Sequence, residues 1–175
     1  MTARADALGF TIIELMIVVG IVGMLAVVGM PEMRDMVVSN RMKTLSLDLY
    51  TSLALARSEA IKRNAGNISM VAATGGWQNG WTVCVDTSAN GVCDAGEVVV
   101  TTADAVDRSI TLTGPTGPAL VTFNRDGRLA TAAASFRIIY TANNSRTPMR
   151  CVELSVSGRP KTLADTNATD SDGCN

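Results

Sequence analysis

The sequence has no histidine. That removes the commonest general base and the commonest metal ligand in one step. Aromatic residues are only 4% of the chain, too few for a platform on which the bases of a single strand could stack. Neither sign of charge dominates, with 15 basic against 16 acidic residues, so no global field points to nucleic acid or anionic lipid. The four cysteines have no CxxC spacing, and without histidine they suggest no zinc site. There is no nucleophile motif and no evident acid–base pair of carboxylates, so an enzyme is not expected.

What the chain does have is a long apolar run near its start. From Phe10 to Met30 it offers roughly twenty residues, enough to span a bilayer as a helix. Arg4 lies ahead of the run, which favours that side being cytoplasmic. No small-residue cleavage site follows it; Met30-Pro31-Glu32-Met33 comes next, so the run is expected to stay in the mature protein. One carboxylate, Glu14, sits inside it. An acid in a membrane span is a functional-site hypothesis by default.

Beyond Pro31 the helical pattern continues. Met42, Leu45, Leu49, Leu53, Ala56 and Ala60 step by three or four and share one stripe, while the charged residues mostly lie off it. Asn64-Ala65-Gly66-Asn67 is a stop signal. The reading is one long helix from about Thr11 to about Arg63, apolar all round in its first half and amphipathic in its second. After Gly66 come short β-type runs at 68–73, 80–86, 97–102, 109–113, 119–124, 136–141 and 151–157, separated by turn formers. The expected class is α+β, with an antiparallel sheet curled over the amphipathic half of the helix. An even cysteine count in an exported chain reads as disulfides. Of the three pairings, the sequence-local ones are favoured, Cys84 with Cys93 and Cys151 with Cys174. Four reduced, buried thiols are the alternative.

The N-terminal residues carry a family resemblance. GFTIIELMIVVGIVGMLAVVGMP closely resembles the signature of type IV pilins and type II secretion pseudopilins. LALARSEAIKRN at 53–64 and GWTVCVDTSANGVCDAGE at 80–97 resemble the H-type minor pseudopilins, the GspH/FimT-like family. The resemblance covers most of the chain to about residue 100 and implies a pilin-like fold. It implies a leader at 1–9, a membrane and filament-core helix at 10–31, its amphipathic continuation at 32–65 and a periplasmic β-rich domain at 66–175. A prepilin peptidase would cut between Gly9 and Phe10 and methylate the new Phe10 amine. The protein would sit in the inner membrane as a single pass, then join a helical filament of similar subunits. Glu14 would offset the cost of a buried amine by pairing with Phe10 of a neighbouring subunit. Simple snorkelling of Glu14 to the interface is the bland alternative.

Two further constellations stand out. Asp86, Ser88, Asn90, Asp94 and Glu97, with Gly91 at the sixth position, match the twelve-position spacing of a calcium loop. A disulfide-clasped hairpin turn explains the same residues, so calcium is a weak candidate and no other cofactor is expected. The stretch 125–161 holds seven basic residues, Arg125, Arg128, Arg137, Arg146, Arg150, Arg159 and Lys161, against Asp126 and Glu153. Its turn Ser157-Gly158-Arg159-Pro160-Lys161 is similar to the Gly-Arg-x-Arg motif of DNA-uptake members of the family, with lysine in the last place. Lysine pairs a phosphate as a point charge, without arginine's fork. Arg159, Lys161, Arg146 and Arg150 are thus candidate contacts to duplex phosphates. An ordinary solvated turn is the alternative. The function implied is a minor filament subunit for type IV pilus assembly, with DNA capture in natural transformation as its extension. The rival is a minor pseudopilin of type II secretion, supporting export of folded proteins across the outer membrane. A calcium-regulated periplasmic enzyme on a membrane anchor is a distant third.

Overall fold

A capping box starts the helix. The Thr11 hydroxyl accepts the Glu14 N–H at 3.2 Å, and the Glu14 carboxylate reaches back to the Thr11 N–H at 3.4 Å. The computed structural model describes residues 10–64, 66–115, 119–142 and 147–165. In it α1 runs Ile12–Arg63, and the helical assignment passes through Pro31 without a break. Lys62 and Arg63 fill the last turn, where cations favour the negative end of the helix dipole. Asn64, left-handed at φ 48°, ends it.

The chain divides into two compact units, Met1–Val37 and Val38–Asn175. In the first, residues 12–37 are helical and the large apolar side chains described there face outward. In the second, α1 buries Val38, Met42, Leu49, Leu53, Ala56 and Ala60, with Leu45 partly buried beside them. That is the expected stripe.

Among the described residues eight strands follow: β1 (Ile68–Ala72), β2 (Trp81–Val85), β3 (Val98–Ala103), β4 (Ile110–Thr113), β5 (Leu120–Phe123), β6 (Ala134–Tyr140), β7 (Arg150–Leu154) and β8 (Pro160–Ala164). They form two four-stranded antiparallel sheets rather than one. The first is ordered β3-β2-β1-β5 and the second β4-β6-β7-β8. The pattern predicts seven strands; β8 is the addition. It starts on a proline and carries Lys161, which read as turn residues but are also what an edge strand tolerates.

One core gathers side chains from α1 and both sheets. Trp81 is buried, and its indole N–H donates to the buried Ser52 hydroxyl of α1 at 3.0 Å. Trp77, in a single 3-10 turn at Trp77–Asn79, packs edge-on against Phe136 at 4.8 Å. The neighbouring Gln78 amide donates to the Ile110 carbonyl and accepts from the Leu112 N–H. A side chain thereby takes the place of a strand along β4.

Candidate functional sites

From Phe10 to Val27 every large apolar side chain is 50–82% exposed. In water such a surface is costly. Phe10 itself is exposed; Gly9 lies outside the described residues. Glu14 contacts Thr11, as the partner that caps its own helix. Among the described residues no helix is long and apolar enough to cross a membrane.

The basic residues separate in space. Two turns come together at the C-terminal end of α1. One is 124–128, closed by the Gly127 N–H on the Asn124 carbonyl at 2.8 Å. The other is 155–159, closed by the Gly158 N–H on the Ser155 carbonyl at 2.8 Å. Arg57 on α1 donates through Nε to the Gly127 carbonyl at 3.0 Å, and the Leu129 N–H bonds the Val156 carbonyl at 3.1 Å. Gly158 is left-handed, at φ 74°, and buried. A Cβ there would collide with the Gly127 carbonyl oxygen, so the turn demands glycine.

Arg159 leaves this turn between two grooves. One, of about 450 Å³, is walled by Ser135, Glu153, Pro160 and Lys161. The other, of about 390 Å³, is walled by Tyr50, Arg57, Ser58 and Ile61. Arg159 and Lys161 therefore share a groove. Glu153 sits opposite Lys161 across the β7–β8 ladder and tempers its charge. Arg150 does not join them. It lies three residues from Glu153 on β7, and strand alternation puts it on the other face of the sheet. Arg146 lies outside the described residues. Arg57 was not expected in this place. Sequence marks it only as a charge off the apolar stripe, and the turn it meets is 70 positions away.

The acidic loop after β2 is held by its own donors. Cys84 and Cys93 are bonded, as their spacing suggests. The Asp86 carboxylate, buried, accepts the Asn90 N–H at 3.2 Å, the Gly91 N–H at 2.8 Å and the Ser88 hydroxyl at 3.2 Å. Asp94 accepts the Asn90 amide at 2.7 Å. Glu97 accepts the N–H groups of Asp94, Ser88 and Thr87 and the Thr87 hydroxyl; with the Asp94 bond the largest influence, these hold its carboxyl below the ordinary range. The five residues of the calcium spacing do gather, with their oxygens turned to N–H and hydroxyl groups of the loop. Among the described residues no group of three or more Cys, Asp or Glu is placed to hold a metal ion. Cys151 is also disulfide-bonded, while Cys174 lies outside the described residues.

The fold has known relatives. It resembles the type IV minor pilin FimU of Pseudomonas aeruginosa with a TM-score of 0.57 and 22% identity, over 74% of this chain and 96% of that one. It resembles the minor pseudopilin EpsH of the type 2 secretion system of Vibrio cholerae with a TM-score of 0.52 and 15% identity, over 71% of this chain and 97% of that one. No curated protein matches the chain. At such identities the two structures establish the fold. The family model of the type II transport protein GspH matches residues 46–158, well over half of the sequence. The chain belongs to the GspH family of pilin-like proteins.

Proposed function

We propose that the protein is a minor subunit of a type IV pilus filament. It is held in the inner membrane by the first half of α1 until it assembles, with its β-rich domain in the periplasm. A prepilin peptidase would release it between Gly9 and Phe10 and methylate Phe10. The observation that carries this reading is the apolar surface from Phe10 to Val27, exposed on all sides of one helix. Lipid covers such a surface before assembly and neighbouring helices cover it afterwards. The pilus side is favoured by the likeness to FimU and by the groove that Arg159 and Lys161 share, which suits phosphates of a duplex. Arg57, on the wall of the second groove, extends that surface.

Glu14 tests the assembly step, because it has two separable roles. Glutamine can complete the capping box with Thr11 but carries no charge. If Glu14 pairs with the Phe10 amine of a neighbour, Glu14→Gln and Glu14→Ala both enter the membrane and both stay out of the filament. Pull-down of sheared filaments, with membrane fractions as the control, reads this directly. Normal incorporation of Glu14→Gln would show that Glu14 acts as a cap, and would refute the charge pairing. The second reading is a minor pseudopilin of a type II secretion system, favoured by the GspH family model and the likeness to EpsH. It keeps the same membrane and filament chemistry and drops DNA.

A further inference from the structure

Every open sheet edge presents backbone N–H and C=O groups that invite another strand. The four edges of this domain are not alike. Along β4 the Gln78 amide fills the place of a strand, at 2.9 Å from the Ile110 carbonyl and 2.7 Å from the Leu112 nitrogen. β5 is met by the chain that follows it, through the Phe123–Leu129 bridge and the bond from the Ala130 N–H to the Thr122 carbonyl. β8 opens on Pro160, which has no N–H, and carries Lys161. Both are devices that discourage pairing. β3 has none of these; it does carry a bulge, another device that blunts an edge, where its register with β2 shifts between Val83 and Cys84 and passes over Val100. It reads VVVTTA, with no charge and no proline. All its register partners lie on β2, and among the described residues nothing closes its other side. Val98 and Val99 are 50% and 53% exposed.

The charges around this edge select what can pair with it. Positions 64–107 contain Asp86, Asp94, Glu97, Asp104 and Asp107, and no lysine or arginine. Glu97 directly precedes β3 and Asp104 directly follows it. A second copy pairing antiparallel in register would set Glu97 against Asp104 at both ends. Like charges placed opposite each other are destabilising, so self-pairing is disfavoured. The same two carboxylates favour a strand that carries a cation at each end.

We propose that β3 is a strand-addition site that takes an extended segment of another protein chain, rich in β-branched residues and flanked by lysine or arginine. Main-chain hydrogen bonds supply the affinity and the end charges supply the choice of partner. That this other chain is a neighbouring filament subunit rests on the filament reading above; the strand addition itself does not.

The test uses residues 38–175, the second compact unit, which holds every buried hydrophobic side chain among the described residues. The probe is a labelled synthetic peptide, Lys-Thr-Val-Thr-Val-Thr-Lys, followed by anisotropy and by hydrogen exchange of the 98–103 amides. We expect saturable binding with slowed exchange along β3. Glutamates in place of the terminal lysines should weaken binding at least tenfold, and so should N-methylation of alternate amides along one edge of the peptide. Val99→Lys, at an exposed position, should weaken it at least tenfold with an unchanged melting temperature. If that variant melts early, Thr102→Lys serves instead, since Thr102 is also exposed. Equal binding of the lysine and glutamate peptides, equal binding of the N-methylated peptide, or no binding at millimolar peptide overturns the proposal. Failure of the chain to enter filaments, with peptide binding intact, would count against the filament reading alone.

Discussion

Replacing Gly158 by alanine puts a methyl group where the Gly127 carbonyl oxygen stands. The cost has two parts. The first is the left-handed backbone, φ 74°, which charges an alanine about 1–2 kcal/mol. The second comes from relieving the collision, which pushes the 155–159 turn off the 124–128 turn. That strains the Arg57–Gly127 bond of 3.0 Å and the Leu129–Val156 bond of 3.1 Å. A hydrogen bond from a charged donor contributes about 1.5–3 kcal/mol and a neutral one about 0.5–1.5 kcal/mol. Together the loss is about 3–6.5 kcal/mol. For a domain of this size, at about 4 °C per kcal/mol, the melting temperature should drop by about 12–26 °C. Thermal unfolding of residues 38–175 by circular dichroism, with disulfides intact, measures it. Gly96→Ala is the control, because Gly96 is also left-handed, at φ 100°, but has nothing within 4 Å of a new Cβ. It should lose only the backbone part. Equal melting of the two variants would refute the account of the stacked turns. A smaller drop than in the control would refute it more strongly.

Ser52→Ala leaves the buried Trp81 indole N–H without its acceptor and should cost about 1–3 kcal/mol in urea unfolding; a loss under a few tenths would mean the bond is idle. The lowered Glu97 carboxyl ties stability to pH. A depressed folded value contributes stability that is present above the unfolded value, 4.5, and is lost as pH falls through the folded one. Glu97→Gln should therefore flatten the acid limb of the stability curve below about pH 4.5, and an unchanged limb would contradict it. Duplex DNA should bind residues 38–175 in a salt-dependent way, weaken in the Arg159→Ala/Lys161→Ala variant, and be indifferent to Arg150→Ala, whose side of the sheet is the other one. Equal losses in both would place the duplex elsewhere, and no binding at low salt would favour the secretion reading.

The helix and its stripe were legible because burial every three or four residues is a local pattern; Met42, Leu49, Leu53, Ala56 and Ala60 are all buried. The Cys84–Cys93 bridge was legible for the same reason, as both ends belong to one hairpin. Glu14 was legible only as a charge in an apolar run. Its bond to Thr11 follows from the Thr-x-x-Glu spacing, a local signal for a helix start. β8 was hidden because proline and lysine mark turns and edges alike. The split into two sheets could not be seen, since nothing local in β5 says that its partner is β1 rather than β4. Arg150 and Lys161 are close in sequence, and only the strand register separates them. Arg57 meets a turn 70 positions on, a contact made by tertiary packing alone.

The order of the strands has a consequence for how this domain comes into being. β5 pairs with β1, yet in the chain it falls between β4 and β6, which pair with each other. The two sheets are interleaved along the sequence. The second cannot be finished before the first, and the first waits for a strand that arrives only after β2, β3 and β4. Such non-local closure is slow. A chain emerging N-terminus first would therefore expose the apolar face of the β1–β2–β3 meander until β5 arrives. Completion comes as one late, cooperative event, so a truncation that removes β5 or any later strand of the core should leave no stable half-domain behind.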